Sequence, residues 1–513
     1  MTHRVLTLPR TRRAFLASAG IAGAGLLAIP GLGRAVSAQA PAPELLPELV
    51  IDLSGDPESI DPAIAYAARD WSIVHSIYDA LVGIAADGSI QPLAAETFEA
   101  VDDRTFEATL RKGMTFHDGT PVTADAVVRG VEHLQNGDSK VIDLFRPITK
   151  VEVVNDLTVR LVCDTPCPWL PAQLAVWHVL LPEGATADTL ASAPVGSGPY
   201  RFVSYEHGSQ LELERNPDYV ASDVKGAALA ERVVYRFVPE ATTRVADLST
   251  GSAQLIAEVP LDQASAVEDG DATFVASGVV GSAWIRIATD VTPFDDVRVR
   301  QALNLALDVE AIAQSLVSPE AHRLASLHPD ERSMGFDPAI PAYDYDPGKA
   351  RELLAEAGVG DELGMTLEIT TAAPKAVAEA IVAQWAEVGI NATIQASEYA
   401  AFNATWTDTS APPARMVTWS PLYDPHTLLS LVFAGAGFLS RYDNAEASDL
   451  IASAAVEPDP ETRAATYRTL AGVMHDDAPA VFLWNLVANY GVADVASAWK
   501  PRGDEYVLSL IHI

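Results

Sequence analysis

Cysteine is nearly missing from this chain: 513 residues contain two, Cys163 and Cys167. Two thiols cannot build a disulfide framework or a four-cysteine zinc site, so neither device holds the fold together. In the segment CDTPC they could close a small local disulfide or stay apart as buried thiols, and the spacing leaves both readings open. Positive charge is scarce as well. Lys and Arg number 34 against 69 Asp and Glu, a formal net charge of −35. An excess of that sign repels a phosphate backbone and excludes nucleic acid as a partner. Long apolar runs are few. Beyond the N-terminal forty residues the longest is LPAQLAVWHVLLP (170–182). It has proline near both ends and is shorter than the ~20 residues a membrane-spanning helix needs.

Motifs for chemistry are also lacking. No glycine-rich stretch ends in Gly-Lys-Ser/Thr, which excludes a phosphate-binding loop of that kind. The Gly-Ser-Gly at 196–198 lacks the spacing of a nucleophile elbow. SDVK (222–225) fits a Ser-x-x-Lys pattern, but no Lys-Thr-Gly exists to complete such a site. Eleven histidines include His322 and His328 in HRLASLH and the Asp424/His426 pair. No two stand four apart as catalytic zinc commonly requires. With no nucleophile that can be paired with a base, the chain reads as a non-enzyme without cofactor or protein-ligated metal, an exported hydrolase being a remote alternative.

What is present begins with an address. TRRAFLASAG sets Arg12 and Arg13 ahead of Phe15, Leu16 and a Gly/Ala-rich apolar run, which reads as a twin-arginine export signal over residues 1–40. Small residues offer cleavage after Ala38 or Ala40; Ala38 is favoured because the other cut sets Pro41 beside the scissile bond. Neither cysteine lies near, so no lipid anchor is expected. The expectation is a soluble monomer, periplasmic or secreted, with no membrane insertion after cleavage. Its about 475 residues suggest two to four structural units.

Strand and helix signals alternate through the mature chain without a fixed repeat, which is α/β patterning. TFEATLRKGMTFHDG alternates Phe106, Ala108 and Leu110 with charged residues and turns at Asp118–Gly119. TADAVVRGVEHL offers Thr123 as N-cap and Val127, Val128, Val131 and Leu134 at helical spacing. KVEVVNDLTVRLVC (150–163) breaks at Asn155–Asp156 as a hairpin would. YDPGKARELLAEAG predicts a helix capped by Asp346, with Pro347 in its first turn, Ala350, Leu353, Leu354 and Ala357 on one face, and Gly358 at its end. AVFLWNLVANYGVAD (480–494) is apolar on both faces, as a central strand is.

Four segments in order resemble the extracytoplasmic solute-binding proteins of ABC importers, in the peptide/nickel family. They are LRKGMTFHDGTPVTADAVV (110–128), APVGSGPYRFVSYEHGSQLELERNPDY (193–219), PFDDVRVRQALNLALD (293–308) and YDPGKARELLAEAG (345–358). The resemblance runs from about Leu49 to Val492. It implies an α/β, periplasmic-binding-protein-like fold with two large lobes around a ligand cleft plus an inserted third. Residues 41–64, 190–280 and 480–513 would form the discontinuous first lobe, 65–189 the inserted second, and 281–479 the third. Hinge crossings would fall near 280 and 480, and the closed form would dock on ABC permease subunits. The motifs themselves read as scaffold: His117, Asp118 and Gly119 make a turn, Gly196, Gly198 and Pro199 bend the chain, and Asp295 and Arg300 tie a helix end.

The loop WSPLYDPHT (419–427) is similar to the nickel-binding branch's Trp-x-x-x-Tyr-Asp-Pro-His. The resemblance implies that Trp419 and Tyr423 line the cavity while Asp424, Pro425 and His426 shape the loop. It also implies departures. Peptide binders of the family anchor an amine on an Asp three residues after that tryptophan, and here the position is Leu422. Their carboxylate-binding arginine has no counterpart in EITTAAPKAVAE (368–379), which offers only Lys375. Losing both anchors argues against a zwitterionic dipeptide held in the usual way, because an unpartnered buried charge costs several kcal/mol. His178 stands where the nickel branch uses an arginine toward the chelator, and that branch's downstream histidine ligand is missing from LVFAGAGFLSRYDN. A peptide-like or other small organic solute is therefore the leading ligand class, with a nickel or other metal chelate as the alternative. Tyr66, Arg69, Asp70 and Trp71 are candidates for the first-lobe side of the cleft. Trp284 and Arg286, on one face of a strand, are candidates for the other.

Overall fold

The computed structural model describes residues 45–228, 230–359, 363–406 and 408–507. The twin-arginine motif and its cleavage sites lie outside these residues, as do the outer ends of the segments 41–64 and 480–513. The strands in chain order are β1 Leu49–Leu53, β2 Val82–Ile84, β3 Ile90–Pro92, β4 Ala95–Ala100, β5 Thr105–Leu110, β6 Ile148–Asn155, β7 Thr158–Cys163 and β8 Tyr200–Glu206. They continue as β9 Gln210–Arg215, β10 Arg232–Phe237, β11 Leu255–Ile256, β12 Ala272–Ile287, β13 Leu363–Thr370, β14 Ile390–Ser397, β15 Ala414–Trp419 and β16 Ala480–Ala493.

Ten of these strands make one mixed sheet in the order β14-β13-β15-β12-β16-β11-β1-β10-β9-β8. The fold is α/β, with parallel pairs β1–β10 and β13–β14 and antiparallel pairs between the long central strands. A parallel pair needs a crossover, and the helix Lys375–Glu387 supplies it between β13 and β14. It buries Val377, Ala378, Ile381 and Trp385 at three- and four-residue spacing, and the Trp385 indole donates to the Leu303 carbonyl at 3.0 Å. β16 reads apolar on both faces because it is covered on both: Ala480 to Asn485 are all buried.

Two strands run through the middle of the sheet. β12 and β16 pair antiparallel from Ala272↔Ala493 to Arg286↔Ala480. The ladder loses register between Gly278 and Ser282 and again between Ser282 and Trp284. On one side of that break the core contains Leu49, Ile51, Tyr200 and Val233; on the other it contains Ala283, Ile285, Leu367 and Trp385. The break therefore separates two cores that share one sheet.

Strands β2 to β7 follow β1 in the chain but join no strand of the large sheet. β4-β5-β7-β6 form a four-stranded antiparallel sheet, and β2–β3 a hairpin. Phe106, Ala108 and Leu110 of β5 point inward alternately, as their period requires. Against them packs the helix Ala124–Leu134, through Val127, Val131 and Leu134, with Val128 half-buried. Asn155 accepts from the Leu157 amide at 3.0 Å and turns β6 into β7. Cys163 and Cys167 are joined as a disulfide, which decides between the two readings of CDTPC.

Local signals are realised in detail at the predicted helix Pro347–Glu356. Asp346 accepts from the Lys349 amide at 2.8 Å, and Gly358 takes φ +77° just past the end. The turns around His117 and Gly196–Gly198 prove to be joints. His117 binds Gly198 O through Nε2 at 3.0 Å and accepts from the Gly196 amide through Nδ1 at 3.2 Å. A Cβ at Gly196 or Gly198 would sit 2.0 or 2.7 Å from backbone atoms of Ile77, so only glycine fits. Asp295 and Arg300 behave differently from the expectation. Arg300 bonds the Asp295 carbonyl at 3.1 Å, but its ion-pair partner is Asp477, and Asp296 caps the helix. In SDVK, Lys225 is fully buried, donating to Tyr78 O at 2.6 Å and to Asp79 at 3.0 Å, which occupies its ammonium structurally.

Candidate functional site

Three segments converge where β12 and β16 lose register. The Val280 amide donates to Gly503 O and the Leu422 amide to Val280 O, each at 2.7 Å. β15 ends alongside, with Trp419 paired to Ser282. A Cβ at Gly281 would meet Ser420 Cβ at 2.7 Å and Trp419 O at 2.8 Å, so the approach depends on glycine. The Ser420 hydroxyl then donates to Glu505 Oε2 at 3.1 Å. On the far side of this C-terminal strap, the Val507 amide donates to Ser72 Oγ at 3.0 Å, and Ser72 Oγ lies 3.5 Å from Glu505 O. Glu505 thus stands between the loop after β15 and the helix that carries Ser72, α1 (Ala68–Ile77).

Just before α1, Tyr66 stacks on Trp177 with ring centroids 5.6 Å apart, and Trp177 meets Trp71 edge-on at 5.3 Å. Trp71, His75 and Tyr506 continue the series at 5.1 and 5.0 Å. The result is a braced aromatic wall whose outermost ring is Tyr66. Tyr66 is 40% exposed, yet desolvation, followed by the neighbouring Tyr399, pushes its hydroxyl up to about 12. A partly open ring with a desolvated hydroxyl stands in a recess rather than on a convex face. Tyr399 opens the short helix Tyr399–Ala404 and is 55% exposed. Arg69 lies half-buried on α1 and donates to Ser54 Oγ at 3.1 Å.

The structure encloses several residues that the sequence offered as solute-facing. Asp70 is fully buried and accepts from the backbone amides of Glu58, Tyr66 and Ala67 at 3.1 to 3.2 Å; it caps α1. Trp71 is 1% exposed and donates to Ala65 O at 3.1 Å, so it braces the wall from behind. His178 is packed against Val127 and Gly130, and burial pushes its imidazole down to about 4. Trp284 and Arg286 do share a face of β12, but that face is interior because the core of the four-stranded sheet continues onto it. Trp284 lies 5.2 Å from the Phe433 ring. Arg286 donates to Trp406 O at 2.8 Å and sits over the Trp406 ring; burial, then Arg415 and Arg441, pull its guanidinium down to about 9. All five are buried, and Asp70, Trp71 and Arg286 bond backbone groups of the protein itself.

Trp419 is half-buried at the convergence, while Tyr423 is nearly covered. Tyr423 borders a second recess of about 620 Å³ with Gly88, Arg332, Met334, Phe336 and Arg468. Between them the loop is fixed from below. Asp424 pairs bidentately with Arg463 at 2.5 and 2.9 Å and accepts from the His426 amide at 3.0 Å. His426 stacks on Trp169 with centroids 4.8 Å apart, and Leu422 is buried with its amide on Val280.

Glu505, Glu258, Ser420, Tyr399 and Trp177 were not among the sequence candidates. Glu505 takes φ +65° and Glu258, exposed at the end of β11, takes φ +54°. Desolvation pushes the Glu505 carboxyl up to about 7; the Ser420 bond opposes this, and Glu258 and Asp504 add to it. Asp504 is itself paired with Arg502 at 2.5 Å. No periodicity marks RGDEYV, and only Trp177, within the apolar run that contains His178, had a readable signal. Chemically the recess can hold a solute between aromatic walls and one half-buried carboxylate. Two Ser–His contacts occur elsewhere, Ser333–His328 at 3.3 Å and Ser430–His426 at 3.2 Å. Burial pushes both imidazoles down to about 4, too weakly basic to activate a hydroxyl near neutral pH. Among the described residues no group of three or more His, Cys, Asp or Glu could hold a metal ion, and no helix is long and apolar enough to cross a membrane.

The model of the bacterial extracellular solute-binding proteins, family 5 (middle), matches residues 89–440. The glutathione-binding protein GsiB of Pectobacterium atrosepticum is 29% identical over 363 residues, covering 68% of this chain and 69% of that protein. Heme-binding protein A of Haemophilus influenzae is 29% identical over 497 residues, 88% of each. Among solved structures, the substrate-binding protein CtaP of Listeria monocytogenes superposes with a TM-score of 0.80 at 24% identity, covering 92% of this chain and 100% of that one. The periplasmic protein DppA of Helicobacter pylori, in complex with the peptide STSA, gives 0.77 at 23% identity over 91% and 98%. These structures share the fold.

Proposed function

This chain belongs to the bacterial extracellular solute-binding proteins of family 5, and we propose that it captures a peptide-like or other small organic solute outside the cytoplasm and delivers it to the permease of an ABC importer. The observation that carries this is the convergence at the break in the central ladder, where Glu505 joins the end of β15, with Trp419 and Ser420, to α1, whose leading segment sets Tyr66 on Trp177 and near Tyr399. A solute there touches chain from both cores. Such a ligand can drive closure, because only interactions that exist in the closed state and not in the open one shift the balance toward closing. In this reading the lobes keep the bounds read from the sequence: 41–64 with 190–280 and 480–513, the inserted 65–189, and 281–479. The hinge is the crossing of β12 and β16, where the bulged ladder near Gly278–Ser282 bends more readily than a regular one.

Binding without catalysis fits the recess, which offers aromatic faces and few polar groups, as ligand sites generally do. Export of the folded monomer through the twin-arginine route, without lipidation, completes the reading. Calorimetric and thermal-shift titration of the mature protein with peptides, glutathione, heme and Ni(II)–histidine tests it, since a ligand of the folded state raises its melting temperature. Trp419→Ala and Tyr66→Ala should each weaken the bound solute at least tenfold with folding retained. Binding to none of these classes, or unchanged affinity in both variants, refutes it. A metal chelate is the second reading, favoured by the match over 88% of both chains to a heme-binding relative.

A further inference from the structure

We propose that the Glu505 carboxylate anchors a cationic group of the solute, an organic ammonium or guanidinium; this rests on the recess being the solute site. Position comes first. Glu505 bonds Ser420 on the loop after β15 at 3.1 Å, and its own carbonyl lies 3.5 Å from Ser72 Oγ on α1. It is the residue at which the two sides of the crossing come within one side chain of each other. A cation held there contacts both.

Partners come second. Among the described residues the one hydrogen bond to this carboxylate comes from a neutral hydroxyl, and no lysine or arginine lies within ion-pair distance of it. The charges that act on it most, Glu258 and Asp504, are both of its own sign, and Asp504 is already committed to Arg502. A half-buried carboxylate with acidic neighbours and no protein cation is held at a cost that an incoming cation removes. Three strongly buried acids have a cation of the protein beside them, Asp424 with Arg463, Glu368 with Arg415 and Asp79 with Lys225, and a fourth, Asp70, has three backbone amides; Glu505 has neither.

The surroundings come third. Tyr66 and Tyr399 present partly exposed rings, Trp177 is half-buried under Tyr66, and Trp419 is half-buried at the end of β15, next to the Ser420 that bonds Glu505. Aromatic faces attract ammonium and guanidinium groups and disfavour anions. An uncharged or anionic solute would leave the carboxylate unpaired on closure, so the arrangement selects by charge. Charge-assisted hydrogen bonds of this type change affinity by roughly tenfold or more.

The test is calorimetric titration of the mature protein with tri-alanine and lysyl-lysine, each beside its fully N-acetylated counterpart, alongside heme and oxidised glutathione. The expected result is that at least one amine-bearing probe binds and that acetylation weakens it at least tenfold. Glu505→Gln should abolish that preference while melting at or above the wild-type temperature. Glu505→Gly guards against misfolding as an explanation, because glycine accepts φ +65° without strain. It should melt at or above the wild-type temperature and still lose the preference. Equal affinity for acetylated and free amines, undiminished preference in Glu505→Gln, or binding of heme or neutral solutes alone overturns the proposal and leaves solute capture standing. Failure of every probe overturns the solute-capture reading with it.

Discussion

Neutralising Asp424 tests whether the loop that presents Trp419 is fixed by its buried ion pair. The Asp424 and Arg463 side chains are 8% and 2% exposed, and two hydrogen bonds of 2.5 and 2.9 Å join them. Asp424→Asn keeps an acceptor for the His426 amide but leaves the guanidinium buried without its counter-charge, with only Ala454 O and the Tyr467 hydroxyl as oxygen partners. Breaking a buried pair on one side costs about 3–5 kcal/mol, whereas replacing both partners by neutral groups costs much less. The retained acceptor points to the lower end, about 3 kcal/mol. Arg463→Met should cost a similar amount, and the double variant should be more stable than the sum of the two by at least ~2 kcal/mol. Urea unfolding followed by both circular dichroism and tryptophan fluorescence measures this, with coincident transitions required before free energies are compared. Additive costs, or a loss below ~1 kcal/mol for Asp424→Asn, would refute the claim that the pair fixes the loop.

Glu505→Gly, independent of any ligand, should raise the unfolding free energy by about 1 kcal/mol, the lower end of what a residue held at positive φ costs, and chemical denaturation reads it directly. Stability should also respond to pH through Glu505. Its carboxyl is raised from 4.5 to about 7, so the folded chain keeps the proton that the unfolded chain releases first. Stability therefore falls as pH rises from about 4.5 through 7, and Glu505→Gln should flatten that part of a melting-temperature profile relative to wild type. Replacing Cys163 and Cys167 together by serine opens a five-residue loop and should cost about 2 kcal/mol by chain entropy, with solute affinity unchanged, because the disulfide belongs to the inserted lobe.

Where the determining interaction is local, the sequence was legible. Asp346, Pro347 and Gly358 bracket a helix because a cap, a fixed φ and a left-handed stop act within one turn. β16 could be read as central because an all-apolar strand must be covered twice. The site was legible only in part. Alternation correctly paired Trp284 with Arg286, but whether their face meets solvent depends on the four-stranded sheet, whose core folds over it from a distant part of the chain. Asp70 looked like a cleft acid, yet an acid in the first turn with three unsatisfied amides nearby caps its own helix. Tyr66 was readable as a ring near the cleft; Tyr399, its counterpart, had no motif around it.

Glu505 was invisible for a more instructive reason. A glutamate at positive φ violates the local rule by which a sequence announces such a position, namely glycine. Three non-glycine residues among those described take positive φ: Glu258, Ala478 and Glu505. Ala478 has an ordinary cause, since it ends the helix Pro460–Asp477 in the left-handed cap that leads into β16. The other two terminate no helix: Glu258 turns its carbonyl to the buried Arg244 guanidinium at 2.8 Å, and Glu505 lies in the strap beside the break in the β12–β16 ladder. Gly281, whose Cβ would collide with Ser420, lies at the same break. Glu505 is left without such a cause, and a violation of local preference at a crossing is what a fold shows where selection has acted on binding rather than on stability. A direction follows that stability alone would not give: relieving the strain at Glu505 should make the protein more stable and a worse receptor.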